Sequence, residues 1–140
     1  MSDSKEETIC VISFDGKKIG WSSWKEKFLA RAKKKGYKDV LLGKTHVVKD
    51  SVPIASNDPY KDEKLKARED NKAAYADLIL SINTLRLAGR IAFNLAKSSK
   101  SNDYPNGHAA TAWQSLERKY NPKTTTSRTK LHKEFYGAKL

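Results

Sequence analysis

The side chains able to cut a bond, carry a group or hold a metal are few in this chain, and they do not gather. Cys10 is the single cysteine, and His46, His108 and His132 are scattered. One thiol makes no intramolecular disulfide, and the usual Cys/His zinc spacing cannot be assembled from it. Beside the apolar run Ile9-Cys10-Val11-Ile12, Cys10 reads as a small buried hydrophobe rather than a nucleophile. Asp39, Asp50, Asp58, Asp62, Glu63 and Asp70 lie mostly in charged, solvated surroundings. The chain has no glycine-rich phosphate loop and no serine elbow. Nothing in these residues points to catalysis, a cofactor, a metal or a small-molecule substrate.

The strongest chemical signal is cationic. The formal net charge is +12 over 140 residues, which attracts polyanions, whether nucleic acid or an anionic membrane surface. Lys17, Lys18, Arg31, Lys33, Lys34 and Lys35, with Lys25, Lys27 and Lys38 among them, make the first third strongly basic. Contacts from such residues to RNA phosphates would gain affinity from released counterions, without sequence choice. A solvated lysine-rich face explains the same residues, and Lys33-Lys34-Lys35 would in any case suit a helix C-terminus, where the dipole favours cations. A nuclear-localisation reading is also open. No apolar run approaches the ~20 residues of a membrane span. The acidic, polar start is neither a secretory signal nor a transit peptide. With the lone cysteine, this points to an intracellular, reducing setting.

The elements that position these residues read as helices. Trp21, Trp24, Phe28 and Ala32 share one face at helical period, with Ser23 and Glu26 as a candidate capping box, although the helix could begin a turn earlier. Gly36 fits the left-handed residue after the helix, and Tyr37, Val40 and Leu41 suggest a further short piece closed by Gly43. Residues 43–58 read as a long loop. Asp58-Pro59 is a helix-start signal, with Asp as N-cap and Pro at the first helical position. Residues 60–71 interleave acids and bases, as a solvated helix face does. Ala74, Tyr75, Leu78, Ile79 and Ile82 then give that helix an apolar stripe. Asn83-Thr84 marks a break, after which Ala88, Ile91, Ala92 and Leu95 form another stripe, with Gly89 admitting a close neighbour. Residues 98–106 are a loop. Ala109, Ala112, Trp113, Leu116 and Tyr120 follow at helical spacing, stopped by Asn121-Pro122. The fragment Ile9 to Phe14 reads as an extended segment packed on helices. The expected fold is all-α, with about five to seven helices. Its expected core is Trp21, Trp24, Phe28, Tyr37, Leu41, Tyr75, Leu78, Ile82, Ile91, Leu95, Trp113, Leu116 and Tyr120.

Four blocks, in order, carry a resemblance. The first is Phe14-Asp15-Gly16, then Trp21 and Trp24, Phe28-Leu29, and the run from Gly36-Tyr37 to Gly43. The second is Asn71-x-x-x-Tyr75-x-x-Leu78, and the third Gly107-x-Ala109-x-x-Ala112-Trp113-x-x-Leu116-x-x-Lys119-Tyr120. The fourth is Leu131-x-x-x-Phe135-x-x-x-Lys139-Leu140. Together they resemble the Gag region of copia-type (Ty1/copia) LTR retrotransposons over residues 9–140. The resemblance implies a capsid protein of two helical lobes that self-assembles into cytoplasmic virus-like particles around the element's RNA. Residues 1–8 would be a disordered tail, 9–122 the N-terminal lobe, and 123–140 a linker and the first helix of a truncated C-terminal lobe. The zinc knuckle with which that family often grips RNA is not in this sequence.

Leu131, Phe135 and Ala138 begin an apolar stripe near the chain end. They either form a self-association surface or fold back on the core. Two functions other than a capsid lobe stay open: a basic nucleic-acid-binding module without assembly, and a host-domesticated scaffold derived from Gag.

Overall fold

The computed structural model of the chain describes residues 13–121. The 1–8 tail, Cys10, residues 123–140, and with them Leu131, Phe135 and Ala138, lie outside the described residues. Within them the architecture is all-α: five α-helices packed together, with a single isolated bridge, between Phe14 and Ile82, as the one β-type pairing.

Helix α1 (Trp21–Lys35) emerges from a 3-10 turn at Lys18–Gly20, and Gly20 is its N-cap. It therefore starts before Ser23, and no side-chain cap forms. The preceding turn makes a capping box unnecessary, because the Trp21 N–H already bonds the Lys18 carbonyl. Trp21, Trp24, Phe28 and Ala32 are its buried residues, as the spacing predicts. Gly36 closes the helix at φ 89°, donating to the carbonyls of Ala32 and Lys33. The short helix α2 (Lys38–Leu41) buries Val40 and Leu41.

The stretch from residue 42 to residue 60 is irregular, as expected for 43–58, yet it is tied down along its length. The Arg68 guanidinium donates to the carbonyls of Val48, Lys49 and Val52. The Tyr104 hydroxyl donates to the Val47 carbonyl at 2.6 Å. These bonds satisfy backbone groups that a wandering loop would leave to water.

Helix α3 (Lys61–Leu80) starts later than Asp58-Pro59 suggests, and Tyr60 is its N-cap. Asp58 closes a turn just before the helix instead, accepting from the Tyr60 N–H at 2.8 Å and from the Lys64 ammonium. Lys66 and Asp70 form an i,i+4 ion pair at 2.7 Å. After the break at residues 81–86 comes α4 (Leu87–Lys97), and after the loop at 98–108 comes α5 (Ala109–Tyr120).

One core position differs from the expected list: Ile91 is 45% exposed. The inward face of α4 is instead Gly89, Ala92 and Ala96, small residues at i, i+3 and i+7. A helix that packs through small side chains sits close to its neighbours, and this turns Leu87 and Ile91 outward. Leu95 is half-buried against the core. The other expected core residues are buried.

The centre of the molecule is aromatic. Phe14 stacks on Trp24 with ring centroids 5.0 Å apart and meets Trp21 and Tyr120 edge-on. Trp113 lies 5.6 Å from each of Trp21, Trp24 and Phe28. Offset and edge-on pairs of this kind contribute about 0.5–1.5 kcal/mol each beyond area burial. The three indole N–H groups are buried without acceptors, so the cluster is held by shape and apolar contact rather than by polar bonds.

Candidate assembly and nucleic-acid surfaces

Among the described residues, no group of three or more His, Cys, Asp or Glu side chains could hold a metal ion. No helix there is long and apolar enough to cross a membrane. His108 serves the fold: it is the N-cap of α5, and its Nδ1 accepts from the Thr111 N–H at 3.3 Å and sits 2.7 Å from the Thr111 hydroxyl. Its ring packs on Tyr104 at 4.4 Å. Burial, and to a lesser degree the nearby His46, holds the His108 ring below its ordinary pKa.

With that depressed value, the unfolded chain takes up the imidazole proton at higher pH than the folded one. Stability from the neutral cap is present above the ordinary histidine value of about 6.5 and falls as pH drops through it. Lowering pH from about 7.5 to about 5.5 is expected to reduce the urea midpoint, with about 1 kcal/mol attributable to this cap. In His108→Asn, which keeps a capping oxygen, that share of the pH dependence should vanish. An unchanged pH profile in that variant would refute the assignment.

The cations singled out in the sequence do not form one patch. Lys17 and Lys18 lie at the N-terminal end of α1, about 20 Å along the helix from the lysines of its last turn. Lys35 is engaged: its ammonium is 3.0 Å from the Asp77 carboxylate, which also accepts from the Tyr37 hydroxyl at 2.6 Å. Burial and that carboxylate together push the Tyr37 pKa far up, so this link between α1 and α3 stays protonated. Arg31 is half-buried, and Lys33 and Lys34 are exposed. Lys33 joins Lys25 and Lys38 around a cleft of about 490 Å³ floored by Trp21 and Leu29. Lys25 is bound to Glu117 of α5 across one side of it. This grouping of Lys25, Lys33 and Lys38 was not legible in the sequence, because it depends on how α2 turns back beside α1.

The sequence blocks, by contrast, are brought together. The first block supplies Phe14, Trp21, Trp24 and Phe28, which surround Trp113 and Tyr120 of the third. Asn71 opens the second block and is buried. Its amide donates to the Gly107 carbonyl at 3.0 Å and accepts from the Ala109 N–H at 2.8 Å. Both partners belong to the start of the third block. Gly107 is at φ 98°, and a Cβ there would lie 2.6 Å from the Tyr75 ring.

No protein-family model, no curated protein and no solved structure matches the chain.

Two features of these surfaces leave little trace in the sequence. One is the Asn71 clamp, whose partners are backbone atoms and so carry no side-chain signature. The other is a set of outward apolar residues: Ile19, Leu80, Leu85 and Leu87 are all more than 60% exposed.

Proposed function

We propose that this chain is the N-terminal capsid lobe of a copia-type retrotransposon Gag protein, a structural protein that builds cytoplasmic virus-like particles around element RNA, and not an enzyme. The observation that carries this reading is the Asn71 clamp. It joins the second resemblance block to the third through buried bonds, so the blocks act as mutually dependent parts of one lobe rather than as separate apolar stripes. The aromatic cluster ties the first block to the third in the same way. A small all-α body with a large positive charge suits a protein that works by repeated contacts with copies of itself and by non-specific attraction to RNA.

The test is expression in cells of the chain within its surrounding coding sequence. Expected are particles by negative-stain electron microscopy, holding RNA protected from nuclease. Neutralising Lys33 and Lys34 to Gln should lower RNA content and flatten the salt dependence of RNA binding. A protein that stays monomeric at all concentrations but binds RNA would favour the alternative, a basic nucleic-acid-binding module. A monomer without RNA binding would remove both.

A further inference from the structure

Helix α4 is inverted for a member of a small bundle. Its small residues Gly89, Ala92 and Ala96 face inward, and Leu87, Ile91 and Leu95 run at i, i+4 and i+8 along the other side. Leu87 is 64% exposed and Ile91 45%. Leu95 is half-buried and edges a shallow groove of about 250 Å³ that it shares with Ser115, Arg118 and Lys119 of α5. Leu85 is 85% exposed just ahead of the helix, and the Arg90 guanidinium folds back to 3.4 Å from the Thr84 and Leu85 carbonyls, so this turn adjoins the same face. Arg90 and Lys97, both exposed and about two turns apart, flank the stripe on the side away from the groove. The fold does not ask for these aliphatics. Helix propensity explains neither Leu85, which lies outside any helix, nor Ile91, a middling helix former.

No acid offsets the cations of this face. Residues 78–102 contain none. Acids on the neighbouring elements are engaged elsewhere. Asp77, the one acid in the last two turns of α3, is held by Lys35 and Tyr37. Glu117, the one acid of α5, is held by Lys25, and Asp103 of the intervening loop by Lys49. The Asp15 carboxylate, beside the junction at Ala88, accepts from the Lys17 N–H.

We propose that this face binds an anionic lipid bilayer. Leu85, Leu87 and Ile91 enter the acyl boundary, while Arg90, Lys97, Arg118 and Lys119 reach the headgroup phosphates. The joining of aliphatics to cations selects the occupant. Nucleic-acid phosphates would meet the cations but leave the aliphatics in water. A second copy of the same face would set cations against cations, with no acid to relieve them. An anionic bilayer takes up both kinds of side chain. This inference goes beyond the particle-building reading and stands without it.

The test is flotation of the full chain with vesicles of phosphatidylcholine containing phosphatidylserine, at physiological salt, with single-stranded RNA binding measured in parallel. Circular dichroism checks that each variant keeps its helix content. Leu87→Gln with Ile91→Gln is expected to weaken vesicle binding about tenfold and to leave RNA binding unchanged. Arg90→Gln with Lys97→Gln should weaken vesicle binding about twentyfold, at about fivefold per cation. The charge-matched pair Lys33→Gln with Lys34→Gln, on α1, should weaken it by less than about threefold. Vesicle binding undiminished in the Leu87/Ile91 variant shows attraction by net charge alone and overturns the proposal. Equal losses from the two charge-matched pairs overturn it as well. Loss of RNA binding in the Leu87/Ile91 variant, with vesicle binding kept, assigns the face to nucleic acid instead.

Discussion

Asn71→Leu is expected to lower unfolding free energy by about 3 kcal/mol, read as a drop in urea midpoint with an unchanged slope. The substitution is close in size, so little is lost in packing. What it removes is the one side chain that satisfies two backbone groups in the interior, the Gly107 carbonyl and the Ala109 N–H. A buried backbone group left without a partner costs about 1–3 kcal/mol, and here two are left together. The Ala109 N–H also belongs to the first turn of α5, whose start would fray. Lys72→Leu, on the adjacent exposed position, serves as the control and should change stability by no more than about 0.5 kcal/mol. Equal effects from the two would show that the clamp contributes nothing.

Gly89→Ala should also be strongly destabilising, against what helix propensity alone dictates. In an ordinary helix interior, alanine is about 1 kcal/mol better than glycine. At Gly89, however, a Cβ would lie 1.7 Å from the Asn83 carbonyl oxygen and 3.6 Å from that of Asp15. The obstacle is backbone and cannot swing aside. Gly16 faces the same junction at φ 83°, with its own hypothetical Cβ 2.1 Å from the Ala88 carbonyl oxygen. The segment at 14–16 is pinned on its other side, since the Phe14 N–H bonds the Ser81 carbonyl at 2.8 Å and the Asn83 N–H bonds the Phe14 carbonyl at 2.9 Å. Moving any segment of this junction displaces Phe14 from the aromatic cluster. A net loss of about 2–4 kcal/mol by chemical denaturation is expected. Gly36→Ala makes a useful contrast: its φ is 89° with open space around it, so only the left-handed penalty of about 1–2 kcal/mol applies. A Gly89→Ala protein as stable as its parent would show that the junction is loose.

How much of this could be read in advance depended on the kind of interaction. Helix α1 was legible because three large aromatics at helical period and a terminal glycine leave few alternatives. The stripe of α5 was legible for the same reason. Ile91 went astray because periodicity finds an apolar face but does not say which of two faces is inward. In α4 the close approach of Gly89, Ala92 and Ala96 decided it, and small residues carry little weight in a hydropathy pattern. Asp58 reads in the sequence as the helix N-cap, but its bonds to the Tyr60 N–H and the Lys64 ammonium place it in a turn ahead of the helix, whose N-cap is Tyr60. The long loop was legible as irregular but not as fixed, because Arg68 and Tyr104 hold it through main-chain oxygens distant in sequence. The cationic surface was legible only as composition; its division between a cleft, an ion pair and two helix ends is tertiary information.

The gathering of Trp21, Trp24 and Trp113 within 5.6 Å of one another has a spectroscopic consequence. These are all the tryptophans of the chain, and they come from both ends of the described fold. Their emission is therefore that of one coupled, water-shielded chromophore, blue-shifted in the folded protein, with exciton-split bands in the circular dichroism. Loss of that signal requires the first and last helices to part, so intrinsic fluorescence follows global unfolding of this lobe and is blind to fraying of its surface loops.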